Sequence, residues 1–257
     1  MLVLLSCAKT MSAVSKVKVP LTTIPRFQKE AAEIALQMSQ FSVDELERLL
    51  RVNAKIAVEN YKRYQAFHAE TTPELPALLA YTGIVFKRLN PKDFSAEDFG
   101  YAQEHLRLTS FCYGLLRPLD VIRAYRLGGD VVLPELGNQT LFSYWRSRLT
   151  DTFIEDIRSA GGILCNLASD EMKSLFDWKR VESEVRVVTP EFHVWKNGKL
   201  ATIVVYTKMS RGEMTRFILK NKIGNPEELK GFSWEGFEFD ESLSDERKLV
   251  FINGMGE

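Results

Sequence analysis

In the stretch Lys208-Met209-Ser210-Arg211-Gly212-Glu213-Met214, two cations stand where a strand-like run, Leu200 to Tyr206, gives way to helical spacing. With Ser210 and Glu213 as a capping box, the pattern predicts a helix start near Arg211. Free backbone N–H groups, the positive end of the dipole and two side-chain charges would then face an anion together. Gly212, without a Cβ, would let a phosphate come close. The dipole contributes only about 0.3–1 kcal/mol when exposed, so Lys208 and Arg211 would dominate. A second basic set, Arg107, Arg117, Arg123 and Arg126, is interleaved with apolar residues. Four arginines in a packed segment need partners: Asp120 can take one, and the others call for carboxylates or phosphates.

Other candidate chemistry is thinner. Ser6 lies three residues before Lys9, the spacing of some Ser-Lys acyl-transfer enzymes, but the accompanying Ser-Asp-Asn and Lys-Thr-Gly strings do not occur. Lys9 and Thr10 read better as further anion donors. Asn166-Leu167-Ala168-Ser169-Asp170-Glu171 ends a strand and opens a helix, where sheet proteins keep ligand loops. Ser169 reads there as an N-cap, and Asp170 and Glu171 point different ways, a poor acid/base pair. The enzymatic alternative would use Ser6, Lys9, Asn166, Ser169, Asp170 and Glu171 on a phosphorylated or nucleic-acid substrate. No GxGxxG or GxxxxGK[ST] string supports a nucleotide cofactor. His68, His105 and His193 share no HxH or HxxxH spacing, and Cys7, Cys112 and Cys165 form no CxxC. No cofactor and no metal are therefore expected, and the cysteines read as reduced core thiols of a cytoplasmic protein.

The elements that must position these groups alternate between α and β, predicting one mixed α/β (α+β) domain over residues 1–257 with a mixed sheet and surrounding helices. Leu2 to Leu5 reads as a buried strand rather than a secretory start, since Lys9 interrupts any apolar run. Phe27, Ala31, Ile34, Ala35 and Met38 recur at helical spacing. Ser42 with Glu45 and Ser95 with Asp98 predict two capped helices, and a further helix spans about Asn53 to His68. Leu75 to Leu89 fits strand or helix. Leu106 to Leu116 is apolar enough to be buried throughout. Leu141 to Ile157 reads as a helix ended by Gly161-Gly162, and Ile163 to Leu167 as an interior strand. Val185 to Val194 and Leu200 to Tyr206 flank Asn197-Gly198, a type I′ hairpin signal. Leu249 to Ile252 is a last strand.

Thirty-four Lys+Arg balance thirty-four Asp+Glu, with a pI near 6.9, so no global field exists to hold nucleic acid or an anionic membrane. No apolar run is long enough to predict a membrane span. The neutral total hides an asymmetry. Lys196 to Lys222 holds seven basic residues against Glu213, a formal +6, and Ile223 to Arg247 carries a formal −6. A local basic strip, masked or not by the acidic stretch, is the implication.

Taken in order, Leu2 to Thr10 (strand, then SCAKT), Leu115 to Leu127 (LLRPLDVIRAYRL), Asn166 to Glu171 (NLASDE) and Lys208 to Arg216 (KMSRGEMTR) resemble the YaaA peroxide-stress protein family over nearly the whole chain. The resemblance implies a cytoplasmic, non-enzymatic protein that binds double-stranded DNA with little regard to sequence. It also implies an association with lowered free iron, with no membrane and no obligate protein partner. A positively charged cleft would be lined by Lys9, Arg107, Arg117, Arg126, Lys208, Arg211 and Arg216. A helix-hairpin-helix element would fall near Leu49 to Phe67, with Arg51, Lys55, Lys62 and Arg63 as its cations. Arg51-Val52-Asn53-Ala54-Lys55 lacks the glycines such hairpins usually place in the turn, which puts the weight on the cleft.

Overall fold

The computed structural model describes residues 1–196 and 198–254. Its core is built on Leu2–Leu5, a strand whose four residues are all buried. A strand covered on both faces must be apolar at every position, which is what a parallel interior strand requires. Leu106–Ser110 pairs with it in parallel on one side and Ile163–Asn166 in parallel on the other. The eight-stranded sheet runs Phe237–Asp240, Lys248–Asn253, Arg186–Lys196, Ile163–Asn166, Leu2–Leu5, Leu106–Ser110, Gly114–Leu116, with Lys199–Ala201 paired to Arg186–Lys196. Five central strands are parallel and the outer pairings antiparallel. From Leu2–Leu5 the chain goes first to the 106–110 side and later returns on the 163–166 side. Strand order therefore reverses between Leu2–Leu5 and Ile163–Asn166, the position where open sheets of this kind leave a crevice at the carboxyl ends of their strands.

Helix boundaries follow local chemistry. Ser42 and Ser95 each complete a capping box, with Glu45 and Asp98. Asn53 Oδ1 accepts from the Ile56 N–H at the start of Ala54–Ala66, and Arg51, in the left-handed region at φ 50°, turns the chain out of Val43–Leu50. Leu141–Ser159 buries Trp145, Leu149 and Phe153 and is ended by Gly161 and Gly162, both at positive φ. The ambiguous 75–89 segment resolves into a two-residue strand and two short helices, Ala77–Ala80 and Ile84–Leu89. Lys196 faces Lys199 across a two-residue hairpin loop. Asn197, half of the expected type I′ pair, lies outside the described residues. No helix among the described residues is long and apolar enough to cross a membrane.

One expectation fails. The strand after the hairpin stops at Ala201, and a continuous helix runs from Val204 to Asn221. Lys208, Arg211 and Gly212 therefore sit inside a helix whose N–H groups are already used, and no anion socket opens at Arg211. Ser210 is fully buried in mid-helix, not capping. Val204 and Val205 favour strands locally, but the helix is held from outside by packing on Ile84–Leu89. Gly212 marks the closest approach: a Cβ there would stand 2.3 Å from the Val85 carbonyl oxygen. The glycine admits a neighbouring helix, not a phosphate. Replacing it by alanine (Gly212→Ala) should therefore lower stability by about 1–3 kcal/mol, read as a fall in the urea midpoint at unchanged slope.

Candidate functional site: a cationic cleft at the strand ends

The crevice between the two central strands opens into a cavity of about 690 Å³. Its floor is the segment that leaves the first strand, Leu5 to Thr10, and Leu167 and Ser169 lie beside it from the neighbouring strand end. The two segments are tied together. The Ser169 N–H donates to Ser6 Oγ at 2.9 Å, and the two hydroxyls are 3.3 Å apart. Ser169 occupies the N-cap position of its short helix, but its side chain makes no cap bond. Its hydroxyl is turned toward Ser6 instead. Glu171 lines the cavity, whereas Asp170 points outward and pairs with Lys173. Asn166 is buried, with Oδ1 accepting from the Ala168 N–H and Nδ2 without a partner among the described residues. Behind the wall, Tyr125 shares hydrogen bonds with Tyr81 (2.8 Å) and Ser110 (2.7 Å).

Four cations from separate parts of the chain line this cavity: Lys9, Arg126, Lys208 and Arg211. None forms an ion pair among the described residues; Arg126 donates only to the Lys9 carbonyl, at 3.3 Å. Lys9 and Lys208 are exposed, and Arg126 and Arg211 are half-buried. Arg211 Nε is fully enclosed with no acceptor, and burial holds its guanidinium below its ordinary pKa, with the charge of Asp170 opposing. Thr10 is exposed on the same floor. Arg51 also lines the cavity but is paired to Asp130 at 2.9 Å. Cys7 faces the cavity too, yet burial pushes its thiol up to about 12, which keeps it from acting as a thiolate nucleophile at neutral pH.

The remaining arginines of the expected cleft are elsewhere and neutralised. Arg107 is almost enclosed, its Nε donating to Asp156 at 2.6 Å and Nη1 to the carbonyls of Gln103 and Leu106. Arg117 pairs with the buried Asp120, and Arg123 pairs with Glu74. Arg216 forms a two-pronged bond with Asp93. Lys220 and Lys222 pair with Asp98 and Glu97. Three of the seven basic residues of the strip are thus answered by carboxylates of residues 93–98, not by the acidic stretch that follows it. Gly212 is packing, as described above, and does not reach the cavity. Sequence reasoning missed Tyr125 and Phe142 as wall residues; their signal was only that both are aromatic, Tyr125 inside the arginine-rich stretch and Phe142 well beyond it.

Comparison with known proteins shows the family. A family model described as "Peroxide stress protein YaaA" matches residues 1–243. The chain belongs to the YaaA peroxide stress protein family. Relatives named UPF0246 protein include one from Bacteroides thetaiotaomicron, 99% identical over 100% of both chains, and one from Bacteroides fragilis, 78% identical over 100% of both. A more distant one from Saccharophagus degradans is 34% identical over 98% of each. The helix-hairpin-helix expected from YaaA resemblance falls on Val43–Leu50 and Ala54–Ala66, joined by Arg51, Val52 and Asn53. Lys55 and Lys62 are exposed on the second helix, where Arg63 bonds Glu59 and Asn60. Of the four cations, Arg51 alone lines the cavity among the described residues.

Because Arg107 is enclosed with Asp156, its role is in the fold. Asp156→Asn leaves a nearly buried guanidinium without its counter-charge and should destabilise by about 3 kcal/mol, read by chemical denaturation.

Proposed function

We propose that this YaaA-family protein is a non-enzymatic DNA-binding protein of the peroxide stress response that holds the duplex backbone at the cationic cleft, with little base readout. The supporting observation is the convergence of Lys9, Arg126, Lys208 and Arg211 without carboxylate partners among the described residues. Arg107, Arg117, Arg123 and Arg216 are each paired with a carboxylate, whereas the half-buried Arg126 and Arg211 have no such partner among the described residues, an electrostatic cost that an anion would offset. Phosphate contacts position a protein on a duplex without reading its sequence, which fits cations gathered from three segments: the end of the first strand (Lys9), the loop at Arg126 and the side of the 204–221 helix. A cytoplasmic location and an effect on free iron belong to the same reading. Among the described residues no three His, Cys, Asp or Glu side chains cluster to hold a metal, so the iron effect is assigned to nucleic-acid binding, not to sequestration.

An enzyme acting on a phosphorylated substrate through Ser6 would need a base within about 2.6–3.2 Å of its hydroxyl. The polar neighbours of Ser6 Oγ among the described residues are the Ser169 hydroxyl and N–H. Neither takes a proton at neutral pH.

Fluorescence anisotropy on a labelled duplex between about 50 and 200 mM salt tests the proposal. With four cations engaged, log affinity should fall against log salt with a slope of roughly −3 to −4 and should hardly change between unrelated sequences. The double variant Lys208→Ala/Arg211→Ala should make that slope shallower by about 2 units, while Arg216→Ala should leave it unchanged. A response flat in salt ends this reading.

A further inference from the structure

The cavity has properties that gripping a duplex does not use. Charge can draw a duplex backbone to all four cations, but Lys9 and Lys208 are solvated without it. Arg211 is different: its Nε is enclosed and lacks an acceptor among the described residues. A buried donor left unpaired is unfavourable, and an anion small enough to enter would relieve it. Arg126 and the hydroxyls of Ser6 and Ser169 line the same space. It lies where strand order reverses, the position at which open parallel sheets take small ligands. Its volume, about 690 Å³, falls within the roughly 300–1,000 Å³ typical of such sites.

The same cavity is also lined by apolar groups. Phe111 and Phe142 meet edge to face, with centroids 5.5 Å apart, and Leu49 and Val131 lie with them along the cavity. Phe142 is held in place: its ring fills the space a side chain at residue 129 would need, since a Cβ on Gly129 would stand 2.3 Å from it. Its N–H also donates to the Gly129 carbonyl at 2.9 Å. A cavity lined by aromatic rings as well as by guanidinium and hydroxyl groups suits a ligand with a planar apolar group and a phosphate.

We infer that the cavity is a binding site for a free nucleoside monophosphate, whose phosphate is taken by Arg211 and Arg126 beside the Ser6 and Ser169 hydroxyls and whose base lies against Phe142 and Phe111. The inference shares Arg211 with the DNA proposal but does not require it. A nucleotide in the cavity would neutralise the charge that the duplex uses, so the two ligands compete.

Isothermal titration of the full chain with the four ribonucleoside monophosphates, inorganic phosphate and adenosine tests this. At least one monophosphate should bind saturably at one per chain, about tenfold or more tighter than either fragment, a difference of about 1.4 kcal/mol. Arg211→Met should weaken it about tenfold, and Phe142→Leu should weaken the monophosphate while leaving inorganic phosphate unchanged. If Arg211→Met does not fold by circular dichroism, Arg126→Met carries the same test. No saturable monophosphate binding, or binding no tighter than inorganic phosphate, overturns the inference. Duplex binding in the same preparation without monophosphate binding overturns this inference alone. Monophosphate binding without duplex binding overturns the DNA proposal alone.

Discussion

A strand hydrogen-bonded in parallel on both sides can neither slip nor tilt, and Leu2–Leu5 is such a strand. A one-residue shift would exchange the faces of every side chain and break the core on both. Everything that faces the cleft is measured from it. Ser6 to Thr10 is simply where the chain continues once that strand ends, and Leu167 to Glu171 is where its neighbour ends. Because the order of strands reverses between them, no crossover helix covers the gap. Apolar burial in the first five residues thus places an opening some distance away, at the other end of the same hydrogen bonds.

The charges show the complementary constraint. A chain with no net charge still distributes it unevenly, and the ion pairs decide which cations are available. Asp156, Asp120, Glu74 and Asp93 each take an arginine. These pairs fasten separated segments: Arg216 and Lys220 attach the long C-terminal helix to residues 93–98. What remains open is not the most basic part of the sequence but the part whose cations form no ion pair among the described residues, although Glu171 lines the same cavity. Formal charge along the chain therefore overstates the strip and understates its concentration at one place.

Much of the framework was legible from local signals. The capping boxes at Ser42 and Ser95, the Gly161-Gly162 stop and the all-apolar first strand are short-range features that tertiary context did not override. That Asp120 takes one nearby arginine was legible too, but Arg117 and Arg123 both stand three residues from it, and only the fold, which gives Arg123 to Glu74, decides for Arg117. Arg107 was misplaced in the cleft because its counter-charge, Asp156, lies 49 residues away and nothing local points to it. The start of the 204–221 helix was missed because Val204 and Val205 prefer strands, whereas what decides is the helix packed across Gly212. That neighbour, Val85, is likewise distant in sequence. Lys208 and Arg211 were nominated as flanks of a helix terminus; they meet the cavity from the side of a helix, so the residues reached the site by a different geometry from the one that suggested them.

The fit between the 204–221 helix and Ile84–Leu89 also bears on how the opening behaves. Both helices supply wall residues, Lys208 and Arg211 from one and Val85 and Phe86 from the other. Where backbone touches backbone with no side chain between, there is no soft layer to compress or slide. This wall is pre-organised, and an entering molecule spends little free energy on ordering it. Selection by size then follows from a fixed aperture rather than from closure around the guest.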